Sequence, residues 1–173
     1  MKPPVVDHDL RAHVSDFLFL EAELLDSGLF PDWLQLLDTR VHYYIPVRQT
    51  LMRDEGPDES EMAHIDDFYP ALSERVERMR SKFNWAENPA SRTRHHITNI
   101  RIRGVESAVH EDHITVYSNL LFYRSRMDDR TSDLVSCERQ DVLVRSKGDL
   151  KLLKRHVVLD QSTLLTHNFA FFL

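Results

Sequence analysis

The sequence predicts an α+β fold in which a cone-like, curved antiparallel sheet is covered by N-terminal helices. Two observations carry that reading. Helical periodicity and helix start signals fill the first half of the chain, with a short β-type run between them. From residue 92 the pattern changes to long period-two segments joined by short turns. At 173 residues the chain is expected to form a single domain over 1–173, long enough to bury a core unaided.

Asp7 is a suitable N-cap, and Leu10, Val14, Phe17, Leu24 and Leu25 follow at helical spacing until Gly28, which predicts a helix over 8–27. Pro31 suits the first turn of a short second helix carrying Trp33, Leu34, Leu36 and Leu37. The run Val41-His42-Tyr43-Tyr44-Ile45-Pro46-Val47 reads as a strand, with Pro46 demanding an edge or a bulge. Residues 48–67 are rich in Asp and Glu and are expected to form a solvated acidic loop, mobile or laid over a partner. A third helix is expected over 70–82 from Pro70, with Leu72, Val76 and Met79 inward.

Four strands follow over 93–105, 112–126, 134–146 and 150–160, with Lys147-Gly148-Asp149 as a turn. On the second of these, Ile114, Val116, Ser118, Leu120 and Phe122 share one face. Thr115, Tyr117, Asn119, Leu121 and Tyr123 take the other. A four-strand antiparallel meander results, and strands this long are expected to twist and curl.

Composition removes several functions. With 22 basic and 28 acidic residues the net charge is −6, the wrong sign for general nucleic-acid binding. One cysteine, Cys137, excludes an intrachain disulfide and any thiolate-built zinc or iron–sulfur site made by this chain alone. The first residues lack the apolar core of a signal peptide, and no apolar run reaches 18 residues. A cytoplasmic protein with no membrane span is therefore expected. With four glycines there is no glycine-rich phosphate loop.

Ten histidines raise the question of a metal. His110-x-x-His113 sits at a turn without a third ligand nearby, and His95 and His96 on one strand point to opposite faces. Scattered neutral or solvated histidines are the better reading, and no metal-binding residue is assigned. A cone can also hold acid–base chemistry, for which Tyr43, Tyr44, His95, Tyr117, Tyr123 and His156 are the candidates. No pair of carboxylates stands out on an inward face, so these rings are read as packing or interface groups. No catalytic and no cofactor-binding residue is assigned. Arg92, Arg94, Arg101, Arg103, Arg124, Arg126, Arg139, Arg145 and Arg155 are offset by Asp128, Asp129, Asp133, Glu138 and Asp141. Cross-strand and inter-subunit ion pairs are expected from them. The ending Asn168-Phe169-Ala170-Phe171-Phe172-Leu173 is too apolar to stay in water, and either the chain's own core or a subunit interface would bury it.

Three groups of segments together resemble a known family. They are Glu23-Leu24-Leu25-Asp26 with Trp33-Leu34-Gln35-Leu36-Leu37 and Tyr43-Tyr44-Ile45-Pro46-Val47-Arg48; Ser91-Arg92-Thr93-Arg94-His95-His96-Ile97-Thr98-Asn99; and Lys154-Arg155-His156-Val157-Val158-Leu159-Asp160-Gln161 with Leu165-Thr166-His167-Asn168-Phe169 and Phe171-Phe172. Their order and content resemble the small (beta) subunit of aromatic-ring-hydroxylating dioxygenases. The acidic stretch 48–63 matches no fixed pattern of that family.

The resemblance implies a fold similar to nuclear transport factor 2 and scytalone dehydratase. It implies a structural, accessory subunit with no cofactor of its own. Its partner would be a large alpha subunit carrying a Rieske [2Fe–2S] centre and a mononuclear Fe(II), in a three-plus-three hexamer with homotrimeric contacts through the sheet. The assembled enzyme would convert an aromatic hydrocarbon to a cis-dihydrodiol, with electrons from NAD(P)H. The residues alone leave two other readings open: a stand-alone lyase or isomerase using the cone pocket, and a non-catalytic ligand-binding module.

Overall fold

The structure is a computed structural model and describes residues 7–48, 59–81, 89–107, 110–127, 130–164, 166 and 168–173. Its elements run α1 (His8–Asp26), α2 (Phe30–Gln35), β1 (Leu37–Arg48), β2 (Glu59–Phe68), α3 (Tyr69–Arg80), β3 (Arg92–Ser107), β4 (Asp112–Ser125), β5 (Ser132–Ser146) and β6 (Asp149–Leu159). The strands make one six-stranded sheet in the order β2-β1-β6-β5-β4-β3. Strands β3 to β6 form the expected antiparallel meander, and β1 joins it by pairing parallel to β6.

Local chemistry sets the element ends. Asp7 caps α1 by accepting a hydrogen bond from the Asp9 N–H at 3.3 Å. Gly28, at φ +69°, ends the helix, with the Gly28 and Leu29 N–H groups bonded to the Leu25 and Leu24 carbonyls at 3.1 and 2.8 Å. That is a Schellman closure, which needs a left-handed residue after the cap. Lys147 and Gly148 both have positive φ, 54° and 96°, as a two-residue hairpin loop between β5 and β6 requires. Pro46 sits at a register shift between β1 and β2, so its missing donor falls in a bulge.

One expectation fails. Of the stretch read as an acidic loop, Glu59–Phe68 is strand β2, antiparallel to β1 with Ile45 opposite Ile65. Residues 49–58 lie outside the described residues. Among the described side chains of this strand only Ile65 is buried, while Met62 and Asp66 are exposed and His64 stacks on Phe169 at 5.1 Å. An edge strand with charges on its open side carries too little apolar signal to be read as β.

The helices lie over one face of the sheet. Val14, Leu18 and Leu25 of α1, Trp33 of α2, and Leu72 and Val76 of α3 are buried against inward residues Val41, Ile45, Ile102, Ile114, Leu120 and Val157. The final residues complete this core. Phe172 packs 4.2 Å (ring centroids) from Trp33, and Phe171 stacks on Phe122 at 4.7 Å. Phe171, Phe172 and Leu173 are all buried within the chain itself, which answers the question left open by the sequence.

Truncating Phe172 to Ala should therefore cost about 3–5 kcal/mol, the range for emptying a buried aromatic site. Urea unfolding of the two chains measures it. A loss below about 1 kcal/mol would show that the ring contributes little to the core.

The charged interior of the cone

Among the described residues, five charged ones are buried inside the cone rather than on its surface: Glu21, Arg124, Arg139, Asp141 and Arg155. Arg155 is at the centre, with its guanidinium fully buried. It donates from Nε and Nη2 to Asp141 at 2.8 and 2.9 Å, and from Nη1 and Nη2 to Glu21 at 2.7 and 2.8 Å. Arg139 donates to Glu21 at 3.3 Å and to the Ser118 hydroxyl at 3.3 Å. The Trp33 indole N–H also donates to Glu21, at 3.2 Å. Two guanidinium groups thus face two carboxylates, which leaves the cluster close to neutral.

Burial by itself would push the Glu21 carboxyl up. The charges of Arg155 and Arg139, with the Arg155 and Trp33 hydrogen bonds, outweigh it and bring Glu21 down to about 2 from the usual 4.5. Burial also pushes the Tyr43 phenol up to about 12, so it stays a neutral donor. Tyr43 donates to the Leu173 carbonyl at 2.6 Å and accepts from the Leu173 N–H at 2.7 Å. Arg155 Nη1 reaches the same carbonyl at 3.2 Å.

A second polar centre lies at the mouth of the cone. His95 has its ring almost fully buried, with Nδ1 at 2.6 Å from Asp26 and Nε2 at 2.9 Å from the Phe172 carbonyl. Its backbone N–H donates to the other Asp26 oxygen at 3.0 Å. Burial opposes ionisation of Asp26, but the bonds and charge of His95 prevail and hold its carboxyl below the ordinary range. Asp26, Thr93, His95, Met79, Phe171 and Phe172 border a cavity of about 110 Å³.

Of the six ring candidates, only Tyr43 and His95 point inward. Tyr117 and Tyr123 are on the outer face, where the Arg103 guanidinium lies 5.2 Å from the Tyr117 ring. Tyr44 and His156 sit together on the outside of β1 and β6, their rings 5.4 Å apart. His113 pairs with Glu111 at 2.9 Å, and His110 is exposed. Cross-strand ion pairs occur as anticipated, including Arg145–Asp112 at 2.6 Å and Arg101–Glu138 at 2.9 Å. Arg139 and Arg155, however, are core residues rather than surface ones. Their carboxylate partners Glu21 and Asp141 form the inward pair that the sequence did not reveal.

The signal for Glu21 was present. It falls on the α1 stripe at the 3–4 spacing of Val14, Leu18 and Leu25, a core position. Asp141 and Arg155 likewise alternate in phase with Cys137, Leu143 and Val157.

Replacing Glu21 by Gln leaves Arg139 without its carboxylate and Arg155 with one fewer. The expected loss is about 3–5 kcal/mol, the usual cost of breaking one side of a buried ion pair. The pH dependence has a definite sign. Glu21 titrates lower in the folded chain than in the unfolded one, so its contribution is complete above about 4.5 and is lost as pH falls towards 2. Denaturant titrations across that window should show a shallower pH dependence for Glu21→Gln than for the parent. An unchanged slope would remove Glu21 from the account.

The sequence profile of the ring hydroxylating beta subunit family matches residues 20–166. The chain is 37% identical to the beta subunit of benzene 1,2-dioxygenase from Pseudomonas putida, over 99% of this chain and 92% of that one. It is 38% identical to the beta subunit of biphenyl 2,3-dioxygenase from Rhodococcus jostii, with the same coverage. A solved structure of naphthalene 1,2-dioxygenase, with indole bound in its active site, superposes with a TM-score of 0.85 at 25% identity, over 97% of this chain and 88% of that one. A scytalone-dehydratase-type chain from Novosphingobium aromaticivorans shares the fold alone, with a TM-score of 0.62 at 14% identity over 91% of this chain and 89% of that one. The cone, the order of its elements and the match along nearly the whole length agree, and the chain belongs to the beta-subunit family of ring-hydroxylating dioxygenases.

Proposed function

We propose that this chain is the architectural subunit of a terminal oxygenase that converts an aromatic hydrocarbon to a cis-dihydrodiol, acting as one domain over 1–173. The observation that carries the reading is the state of the cone. Glu21, Asp141, Arg155, Tyr43 and His95 are bound to one another or to the final residues, so none of these is presented to a substrate. The chain then supplies no catalytic residue. A lyase or isomerase would need His95 Nε2 for its substrate, and a module for an external small ligand would need the space that Phe171, Phe172 and Leu173 fill while seated in the cone.

The chain's residues do not fit the redox groups of such an oxygenase. A Rieske centre takes two cysteines and two histidines, and this sequence has one cysteine. Burial pushes the Cys137 thiol up to about 12, which suppresses its ligating form. Among the described residues no three His, Cys, Asp or Glu side chains converge to hold a metal. The Rieske [2Fe–2S] centre and the mononuclear Fe(II) belong, in this proposal, to a large alpha subunit. Electrons reach them from NAD(P)H through separate components in the cytoplasm.

The surface left for assembly is the outer face of the sheet. Leu121, Tyr123 and Leu134 are 42%, 38% and 54% exposed there, on adjacent strands β4 and β5. Arg94 and His96 on β3 stand opposite Tyr123 and Leu121 and rim the patch with polar groups. An apolar patch with a polar rim is the composition of an interface. It suits the homotrimeric contacts of a three-plus-three hexamer, whose closed symmetry is the norm for soluble assemblies.

Co-expression with the alpha subunit, followed by native mass and iron measurement, tests this. A three-plus-three mass with all iron on the alpha chain is expected. Iron in stoichiometric amount on the isolated beta chain would refute it. Leu134→Asp should reduce hexamer yield at least tenfold, with the melting temperature of the beta chain nearly unchanged, because the residue is exposed in the single chain.

A further inference from the structure

The final residues are held in an unusual way. Residues 168–173 belong to no helix or strand. Among the described residues, no backbone–backbone hydrogen bond outside the helices and strands ties them to the rest. Their main chain is instead gripped by side chains from four strands. Tyr43 of β1 takes both the N–H and the carbonyl of Leu173. Arg155 of β6 takes the Leu173 carbonyl, His95 of β3 the Phe172 carbonyl, and Arg124 of β4 the Asn168 carbonyl at 3.4 Å. The side chains enter separate pockets: Phe172 lies among Trp33, Phe30 and Tyr43, while Phe171 lies on Phe122 and 5.5 Å from the Arg124 guanidinium.

This is how a receptor holds an extended peptide. Side-chain donors and acceptors read the backbone, and pockets read alternate residues. A strand of the sheet would be held by ladder bonds instead. The 110 Å³ cavity bordered by Ala170, Phe171 and Phe172 also leaves this segment incompletely packed on one side.

We infer that the interior of the cone is a binding site for an extended apolar peptide, and that residues Phe169–Leu173 are its resident, separable ligand. The site is made by Tyr43, His95, Arg124 and Arg155, which stay folded on the sheet when the segment leaves. The class of ligand is an aromatic-x-aromatic-aromatic-aliphatic peptide presenting two consecutive carbonyls to His95 and to Tyr43 with Arg155. The inference concerns the inner face only and does not depend on the assembly proposed for the outer one.

Two measurements test it. On the intact chain, hydrogen exchange followed by NMR should show the Leu173 amide exchanging at least about a hundredfold faster than the amides at the centre of β4 and β5, because a separable segment opens without the sheet. Exchange of Leu173 at the same rate as those strands would overturn the inference. A chain ending at Asn168 should then take up acetylated Phe-Ala-Phe-Phe-Leu saturably, one per chain, with a rise in melting temperature. Tyr43→Phe, which removes two hydrogen bonds, should weaken that uptake about tenfold, and Tyr44→Phe on the outer face should leave it unchanged. A shortened chain that folds but takes up no peptide, or that stays unfolded at millimolar peptide, would show the segment to be ordinary core and would overturn the proposal.

Discussion

A fully buried guanidinium is the constraint on which this structure depends. Taking Arg155 out of water costs several kcal/mol, and only well-placed acceptors offset that. Asp141 supplies one pair of acceptor oxygens from the neighbouring strand, directly opposite Arg155 in the β5–β6 register. Glu21 supplies the other from α1, 134 residues away in sequence. The helix must therefore lie on the sheet at one rotation and one height, because a shift of one residue would carry Glu21 off the apolar stripe of α1. The Leu173 carbonyl joins the same guanidinium, so helix, sheet and final residues are all registered by one side chain.

That arrangement explains which parts of the structure were legible in the sequence. The meander from β3 to β6 could be read because its strands are long and joined by short turns, and because β4 alternates cleanly, placing Ile114, Val116, Ser118, Leu120 and Phe122 inside as its pattern says. Helix α1 was readable from its cap and its glycine. Strand β2 was hidden because an edge strand beside an acidic run buries only Ile65 among its described side chains. The charged interior was hidden for a different reason. Arginine and glutamate are mostly surface residues, so Arg139, Arg155 and Glu21 look solvated until the phase of their neighbours is taken seriously. Periodicity holds the information, but residue type argues against it, and only the three-dimensional pairing decides between them.

The inner and outer faces of the sheet have been put to opposite uses. Inside, polar groups that could do acid–base work are saturated by each other. His95 is oriented by Asp26 much as a catalytic imidazole is oriented by a carboxylate, yet its remaining nitrogen meets a backbone carbonyl of the same chain. Outside, the aromatic and aliphatic side chains of β4 and β5 remain open, and the ion pairs around them are partly solvated and individually weak. A fold able to enclose a reaction is filled from within by its own residues, while its outer face keeps Leu121, Tyr123 and Leu134 exposed.

The final residues make that closure possible. Without this segment the Tyr43 hydroxyl, His95 Nε2 and one N–H of Arg155 would each lose an acceptor, at about 1–3 kcal/mol apiece while buried, even though Arg155 keeps Asp141 and Glu21. Filling the cone with side chains alone would not help, since apolar groups accept nothing. A peptide segment does both jobs together: its carbonyls satisfy the donors while Phe171, Phe172 and Leu173 occupy the apolar volume between them. The polar interior and the apolar ending are therefore one solution to one problem. The seated segment completes the hydrogen bonding of the inward donors, and the cone in turn takes three large hydrophobic side chains out of water.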